Sequence, residues 1–99
     1  MIDKHADITF NNNVFMLTGE LNFLNVMSVY TKSLDYLNQC KSCVFDFSSV
    51  KSSDSAGLAL MIEWLKFASA NQKEVHFQNV SEDLLSIATA AGLEKVIQS

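Results

Sequence analysis

The chain has 99 residues, 48% of them hydrophobic, with a formal net charge of −4 and a pI near 4.9. That length and composition bury a core without metal or disulfide support and predict one domain over residues 1–99. Seven scattered Lys and Arg residues exclude the clustered positive charge that nucleic acid or an anionic membrane demands, so the expected partner is a protein. Met1 to Asp7 is charged where a signal peptide would be apolar, and no apolar run is long enough to span a bilayer. The expectation is a cytoplasmic chain with no direct membrane insertion.

Ile8 and Phe10 alternate with polar neighbours, Asn11-Asn12-Asn13 tolerates positive φ, and Val14 to Leu21 continues as a strand, so the start reads as a β-hairpin. Gly19 is expected to break the second strand near its end. From Leu24 to Gln39, Met27, Tyr30, Leu34 and Leu37 recur at helical spacing, with Phe23 on the same side. Cys43 to Phe47 reads as a strand covered on both faces. A second helix is predicted from Ser55 to about Asn71 and a strand from Glu74 to Gln78. The third helix takes Ser81 as N-cap, carries Glu82 and Asp83 in its first turn, buries Leu84, Ile87, Ala88 and Ala91, and stops at Gly92. The tail Leu93 to Gln98 is too short to assign. This order predicts an α/β fold, a mixed sheet with a parallel portion and helices mainly on one face.

The segment Ser48 to Gly57 is dense in hydroxyls and ends in a glycine inside the first turn of a helix. Gly in a helix interior costs roughly 1 kcal/mol against Ala, so either the neighbouring strand or an incoming partner is expected to approach the backbone at Gly57. Asp54 suits the N-cap, which leaves Ser55 on the exposed rim of the helix N-terminus. A phosphate on Ser55 would meet free N–H donors and the positive end of the dipole. Equally, Ser55 is an ordinary helix-start residue. Asp46 and Glu20 are each either buried acids that orient a loop or solvated strand residues.

The run Asp54-Ser55-Ala56-Gly57-Leu58-Ala59-Leu60, with Gly19-Glu20-Leu21 and Val44-Phe45-Asp46-Phe47-Ser48, resembles the STAS domains over the whole chain. In the anti-sigma-factor antagonists of that family the serine of D-S-[SA]-G is phosphorylated by a partner kinase, a role that would fall on Ser55. Asn22 stands where those antagonists commonly have Asp, and Ala56 where many have a second Ser. The chain is more similar to MlaB-like proteins, which generally carry Thr at the position of Ser55. That resemblance implies a cytoplasmic accessory subunit that binds the ATPase subunit of an Mla-type phospholipid ABC transporter, has no chemistry of its own, and sits at the inner face of the cytoplasmic membrane through its partner. The alternative is an antagonist that sequesters an anti-sigma-factor kinase, and a weaker third is a nucleotide- or lipid-binding module.

The second helix carries two apolar faces. Leu58, Met61, Ile62 and Leu65 form one, read as core. Leu60, Trp64 and Phe67 form the other, which faces either a neighbouring helix or a partner. On the second reading, Ser53, Asp54, Ser55, Ala56 and Gly57 continue into Leu60, Trp64 and Phe67 as one docking patch.

Cys40 and Cys43 form a C-x-x-C between a helix end and a strand, where the dipole opposes thiolate formation, so ordinary buried or half-buried cysteines are expected rather than a redox centre. His5 and His76 have no spacing that would complete a zinc site. No histidine, carboxylate pair or phosphate loop is placed to serve Ser55 as a nucleophile, so no catalytic residue, cofactor or metal is expected.

Overall fold

In the computed structural model, which describes residues 6–97, the hairpin forms from β1 (Ala6–Asn11) and β2 (Val14–Leu21). Its two-residue loop is Asn12-Asn13, both at positive φ (52° and 65°), as a turn matched to the strand twist requires. Then follow α1 (Val26–Leu37), β3 (Ser42–Ser53), α2 (Ser55–Ala70), β4 (Glu74–Gln78), α3 (Glu82–Ala90) and the short α4 (Glu94–Ile97). Met1 to His5 and Gln98, read above as a charged start and part of an unassigned tail, lie outside the described residues.

The sheet order is β1-β2-β3-β4, with β1 antiparallel to β2 and the other two pairings parallel. The fold is therefore α/β with a mixed four-strand sheet, as expected. Burial alternates along the strands. Ile8, Phe15, Leu17, Cys43, Phe45, Phe47 and Val75 are buried, while Val14, Met16, Thr18 and Val44 on the other face are only half-buried. The helices thus cover one face, and β3 is not sealed on both, as its apolar run suggested.

One cross-sheet row holds the core in register. Phe10 pairs with Phe15, Phe15 with Phe45, and Phe45 with Phe77, and the ring centroids are 4.5, 4.6 and 5.8 Å apart. Trp64 of α2 stacks on Phe45 at 3.9 Å and donates its indole N–H to Ser33 Oγ of α1 at 2.9 Å. Ser33 in turn donates to the Tyr30 carbonyl at 2.6 Å.

Those contacts correct the phase of α1. Its buried residues are Val26, Val29, Ser33 and Leu37, while Met27 and Phe23, expected on the core side, are 63% and 67% exposed. Ser33 is drawn inward because a buried indole N–H needs an acceptor. In α3 the Ser81 cap forms as expected, accepting from Leu84 N at 3.1 Å, but the helix ends at Ala90, which leaves Ala91 exposed.

β3 runs six residues beyond the predicted Phe47, because β2 continues past irregularities at Met16/Thr18 and Gly19/Glu20 and pairs with it to Leu21↔Ser53. Gly19, at φ 89°, bends β2 without ending it. The extension is rich in hydroxyls because β4 stops pairing at Asp46, which leaves Ser48 to Ser53 with one neighbouring strand and water. Cys40 and Cys43 are both buried, as expected, but they are joined in a disulfide. The turn between α1 and β3 brings their Cα atoms to 5.9 Å, within bonding range.

Because Trp64 joins α2 to β3 and α1, Trp64→Ala is expected to lower stability by about 3–5 kcal/mol, measured by denaturant unfolding. A loss under 1 kcal/mol would contradict its place in the core.

Candidate functional site

The pairing Leu21↔Ser53 brings the ends of β2 and β3 side by side, and Asp54 N donates to Leu21 O at 3.3 Å. The chain leaves these two central strands at the same end of the sheet: β2 into the turn before α1, β3 into the N-terminus of α2. Asp54 caps α2, its Oδ1 accepting from Ala56 N at 2.8 Å. Its backbone carbonyl accepts from Gly57 N at 3.0 Å. Capping thus falls to Asp54, and Ser55, the first helical residue, is exposed.

Gly57 owes its place to the neighbouring strand. A Cβ there would overlap Ser53 Oγ, come within 3.2 Å of Ser53 Cβ, and touch Leu84 of α3 at 3.5 Å. Ser53 is itself fixed by donating to Asp54 O at 2.9 Å.

The docking patch expected along α2 is corrected by burial. Leu60 and Trp64 are 2% and 0% exposed, and Ala56 and Gly57 are buried as well. Phe67 and Ser53 are half-buried, and only Asp54 and Ser55 of the named residues are open. The reason lies in layering: α2 contacts both α1 and α3 as well as the sheet, so its apolar surface extends around more than one stripe.

Apolar surface is exposed instead on the adjoining turn. Phe23, Leu24 and Met27 are 67%, 95% and 63% exposed, and sequence reasoning assigned Phe23 and Met27 to the core. Asn22 and Asn25 turn them outward. Asn22 O accepts from Asn25 N and Val26 N, Asn25 Oδ1 accepts from Asn22 N, Asn22 Oδ1 accepts from Leu24 N, and Asn25 Nδ2 donates to Glu20 O at 2.7 Å. The signal in the sequence was Asn22-x-x-Asn25, a pair that favours a tight polar turn.

Behind this turn a groove of about 360 Å³ runs between α1 and α2, lined by Phe23, Val26, Met27, Tyr30, Ala59, Leu60 and Glu63. Ala59 lies one turn from Ser55 on the same side of α2, so groove and helix N-terminus adjoin. Burial first, and then the Glu63 carboxylate, push the Tyr30 phenol above its ordinary pKa, while Lys66 opposes them. Glu63 pairs with Lys66 at 3.4 Å on the surface, a contact worth little to stability.

Of the two ambiguous acids, Asp46 is the buried one. It accepts from Ser48 N at 2.8 Å, Asn79 Nδ2 at 3.1 Å and Gln78 Nε2 at 3.2 Å, which ties β3 to the end of β4. Burial opposes its ionisation, but these donors outweigh burial and hold the carboxyl below its ordinary pKa. Glu20 is half-buried. Among the described residues no group of His, Cys, Asp or Glu is placed to hold a metal ion, and no helix is long and apolar enough to cross a membrane.

A hairpin, two parallel crossovers, and a capped helix N-terminus beside the β2–α1 turn define a STAS-type α/β domain. The model of the family described as MlaB, STAS domain, matches residues 5–98, and the chain belongs to that family. STAS domains generally act as binding or regulatory modules. Among solved structures, the chain is similar to the anti-sigma factor antagonist SpoIIAA in its unphosphorylated form, at 19% identity and TM-score 0.72 over 92% of this chain and 84% of that one. It is also similar to the Bacillus cell-fate determinant SpoIIAA in the phosphorylated form, at 17% identity and TM-score 0.66 over 92% and 86%. At these identities the likeness is one of fold. No curated protein sequence matches the chain.

Two outcomes follow. Gly57→Ala gains roughly 1 kcal/mol of helix propensity but meets Ser53 at a cost of about 1–3 kcal/mol. It should lower the melting temperature in the natural background and raise it or leave it unchanged in Ser53→Ala; equal effects in both would exclude the contact. For Asp46, the folded pKa lies below the unfolded one, so its contribution is present above the unfolded value and lost as pH falls through the folded value. Asp46→Asn should cost about 1–3 kcal/mol at pH 7 and flatten the acid limb of stability against pH, measured by chemical unfolding between pH 2 and 7.

Proposed function

We propose that the chain is a non-catalytic STAS accessory subunit that binds the ATPase subunit of an Mla-type phospholipid ABC transporter. In this reading it sits at the inner face of the cytoplasmic membrane through that partner and takes part in intermembrane lipid transport and outer-membrane lipid asymmetry. The observation that carries it is the exposed apolar surface of Phe23 and Leu24 in the turn and Met27 at the start of α1, which adjoins Asp54 and Ser55 at the same end of the sheet. Exposed large apolar side chains that are contiguous and rimmed by polar groups mark protein interfaces. Membership of the MlaB family supports the ATPase as occupant. Asp54 and Ser55 form the polar rim, and Ser53, Ala56 and Gly57 shape the backbone beneath them. Leu60 and Trp64 act from within, by fixing α2 against α1, while half-buried Phe67 packs on the core. Residues 1–99 serve as a single domain with no catalytic step, cofactor or metal.

A second reading rests on one observation. Ser55 is exposed beside a helix N-terminus, and the fold resembles an antagonist known in phosphorylated and unphosphorylated forms. On that reading Ser55 is the phosphorylated residue and the partner is an anti-sigma-factor kinase.

The test is to tag the chain in its host, recover it from gently solubilised membranes and cytosol, and identify its partners by mass spectrometry. Recovery of an ABC ATPase with its permease supports the proposal. Recovery of a soluble anti-sigma-factor kinase with phosphate on Ser55 replaces it with the second reading. Leu24→Asp and Met27→Asp, at exposed positions, should leave the melting temperature within about 2 °C and reduce ATPase recovery at least tenfold. Undiminished recovery by both variants would remove the apolar turn from the interface.

A further inference from the structure

The turn between α1 and β3 carries a feature that partner docking does not use. Cys40 and Cys43 lie at the end of the molecule opposite Ser55, joined by a disulfide that closes the chain where α1 feeds the sheet. Three other contacts converge there. Gln39 N donates to Tyr36 O at 2.9 Å, Glu74 N to Lys41 O at 2.8 Å, and Lys73 Nζ to Cys40 O at 2.8 Å. The turn therefore links α1, β3 and the start of β4.

We propose that Cys40 and Cys43 are a thiol–disulfide modification site, a latch that fastens the C-terminal end of α1 to β3 and opens under reducing conditions. Cys40 Sγ lies 3.9 Å from Leu37 O and Cys43 Sγ 3.8 Å from Cys40 O. Cys40 Sγ thus faces the carbonyl of the last residue of α1 and Cys43 Sγ a carbonyl of the turn; neither sits at a helix N-terminus, where an oxidoreductase motif lies. The nearby ammonium of Lys73 is bonded to a carbonyl oxygen. With Cys43 fully buried and Cys40 nearly so, the disulfide is not presented to a protein substrate. The site is a latch and not a redox enzyme.

Closure is a two-electron exchange with a low-molecular-weight disulfide such as oxidised glutathione. One protein S–S bond forms, the glutathione S–S bond breaks, and the two thiol protons end on two molecules of reduced glutathione. Opening is the reverse. Cys43 is fully buried and Cys40 nearly so, but Asn38, Gln39, Lys41 and Ser42 around them are exposed. Attack on Cys40 thus requires the opening of one surface turn, not of the core.

The test equilibrates the full chain anaerobically in glutathione buffers from wholly reduced to wholly oxidised. Samples are acid-quenched, alkylated in guanidinium and weighed intact. The expected result is two alkylated cysteines in reduced glutathione and none in oxidised glutathione, both changing in one step. The oxidised form should melt about 5–10 °C higher, with no such difference in Cys40→Ser. Two alkylations at every ratio, none at any ratio, a persistent single glutathione adduct, or identical melting of the two forms would each overturn the latch. The alkylation series uses the natural sequence, so it stands even if the variant fails to fold.

Discussion

The row Phe10, Phe15, Phe45 and Phe77 across all four strands is the constraint on which the other placements depend. Aromatic pairs directly opposite one another stabilise a sheet and pin its register, because a slip by one residue would turn every ring to the open face. Trp64 extends the row into the helical layer by stacking on Phe45. Its indole N–H then demands a buried acceptor, and Ser33 supplies it. One ring thereby fixes the rotation of α2 over the sheet and of α1 beside α2. The exposure of Met27 follows from that rotation.

The same register sets the opposite edge. With Phe15 opposite Phe45, and allowing for the irregularities near Thr18 and Glu20, Leu21 falls opposite Ser53. The two chain exits then lie together, and each solves its backbone hydrogen bonding locally, through the Asn22–Asn25 turn on one side and the Asp54 cap on the other. Ser53 packs so close to α2 that a Cβ at position 57 would overlap its Oγ. The hydroxyl-dense segment is thus a strand end, a cap and a close contact in succession, which explains why it lacks the regular alternation of an ordinary strand.

Element order up to α3, sheet type, the Asn12-Asn13 turn, and the caps at Asp54 and Ser81 were legible in the sequence, because each rests on patterns or residues close together in the chain. The phase of α1 was not. Met27, Tyr30, Leu34 and Leu37 make a better apolar stripe than Val26, Val29, Ser33 and Leu37, and only the need of Trp64 for an acceptor, 31 residues away, decides for the second. The extension of β3 was hidden for a similar reason: Ser48 to Ser53 have strand neighbours on one side only, so their composition reports water and not the sheet. Trp64 itself was ambiguous because α2 is flanked by helices, and an apolar residue on the flank of a middle helix has the same sequence signature as one at an interface. The disulfide could not be read from C-x-x-C spacing alone, because that spacing permits the bond without requiring it.

The division of labour at the start of α2 bears on how a partner would engage it. Asp54 satisfies Ala56 N through its side chain and Gly57 N through its carbonyl, so the helix is capped without any help from Ser55. A hydroxyl freed from capping costs nothing to present outward, and beside the apolar turn of Phe23 and Leu24 it would supply the polar rim of the proposed docking surface. A phosphate there would act differently. It would gain from the dipole of α2, but it would also bring its charge close to the Asp54 carboxylate and the adjoining apolar side chains, repelling the first and hydrating the second. An interface built on Phe23, Leu24 and Met27 would be weakened by such a group, since its apolar centre depends on excluding water. In the proposed subunit, then, Ser55 would serve as an unmodified hydroxyl, and a modification cycle would oppose the apolar contact instead of completing it.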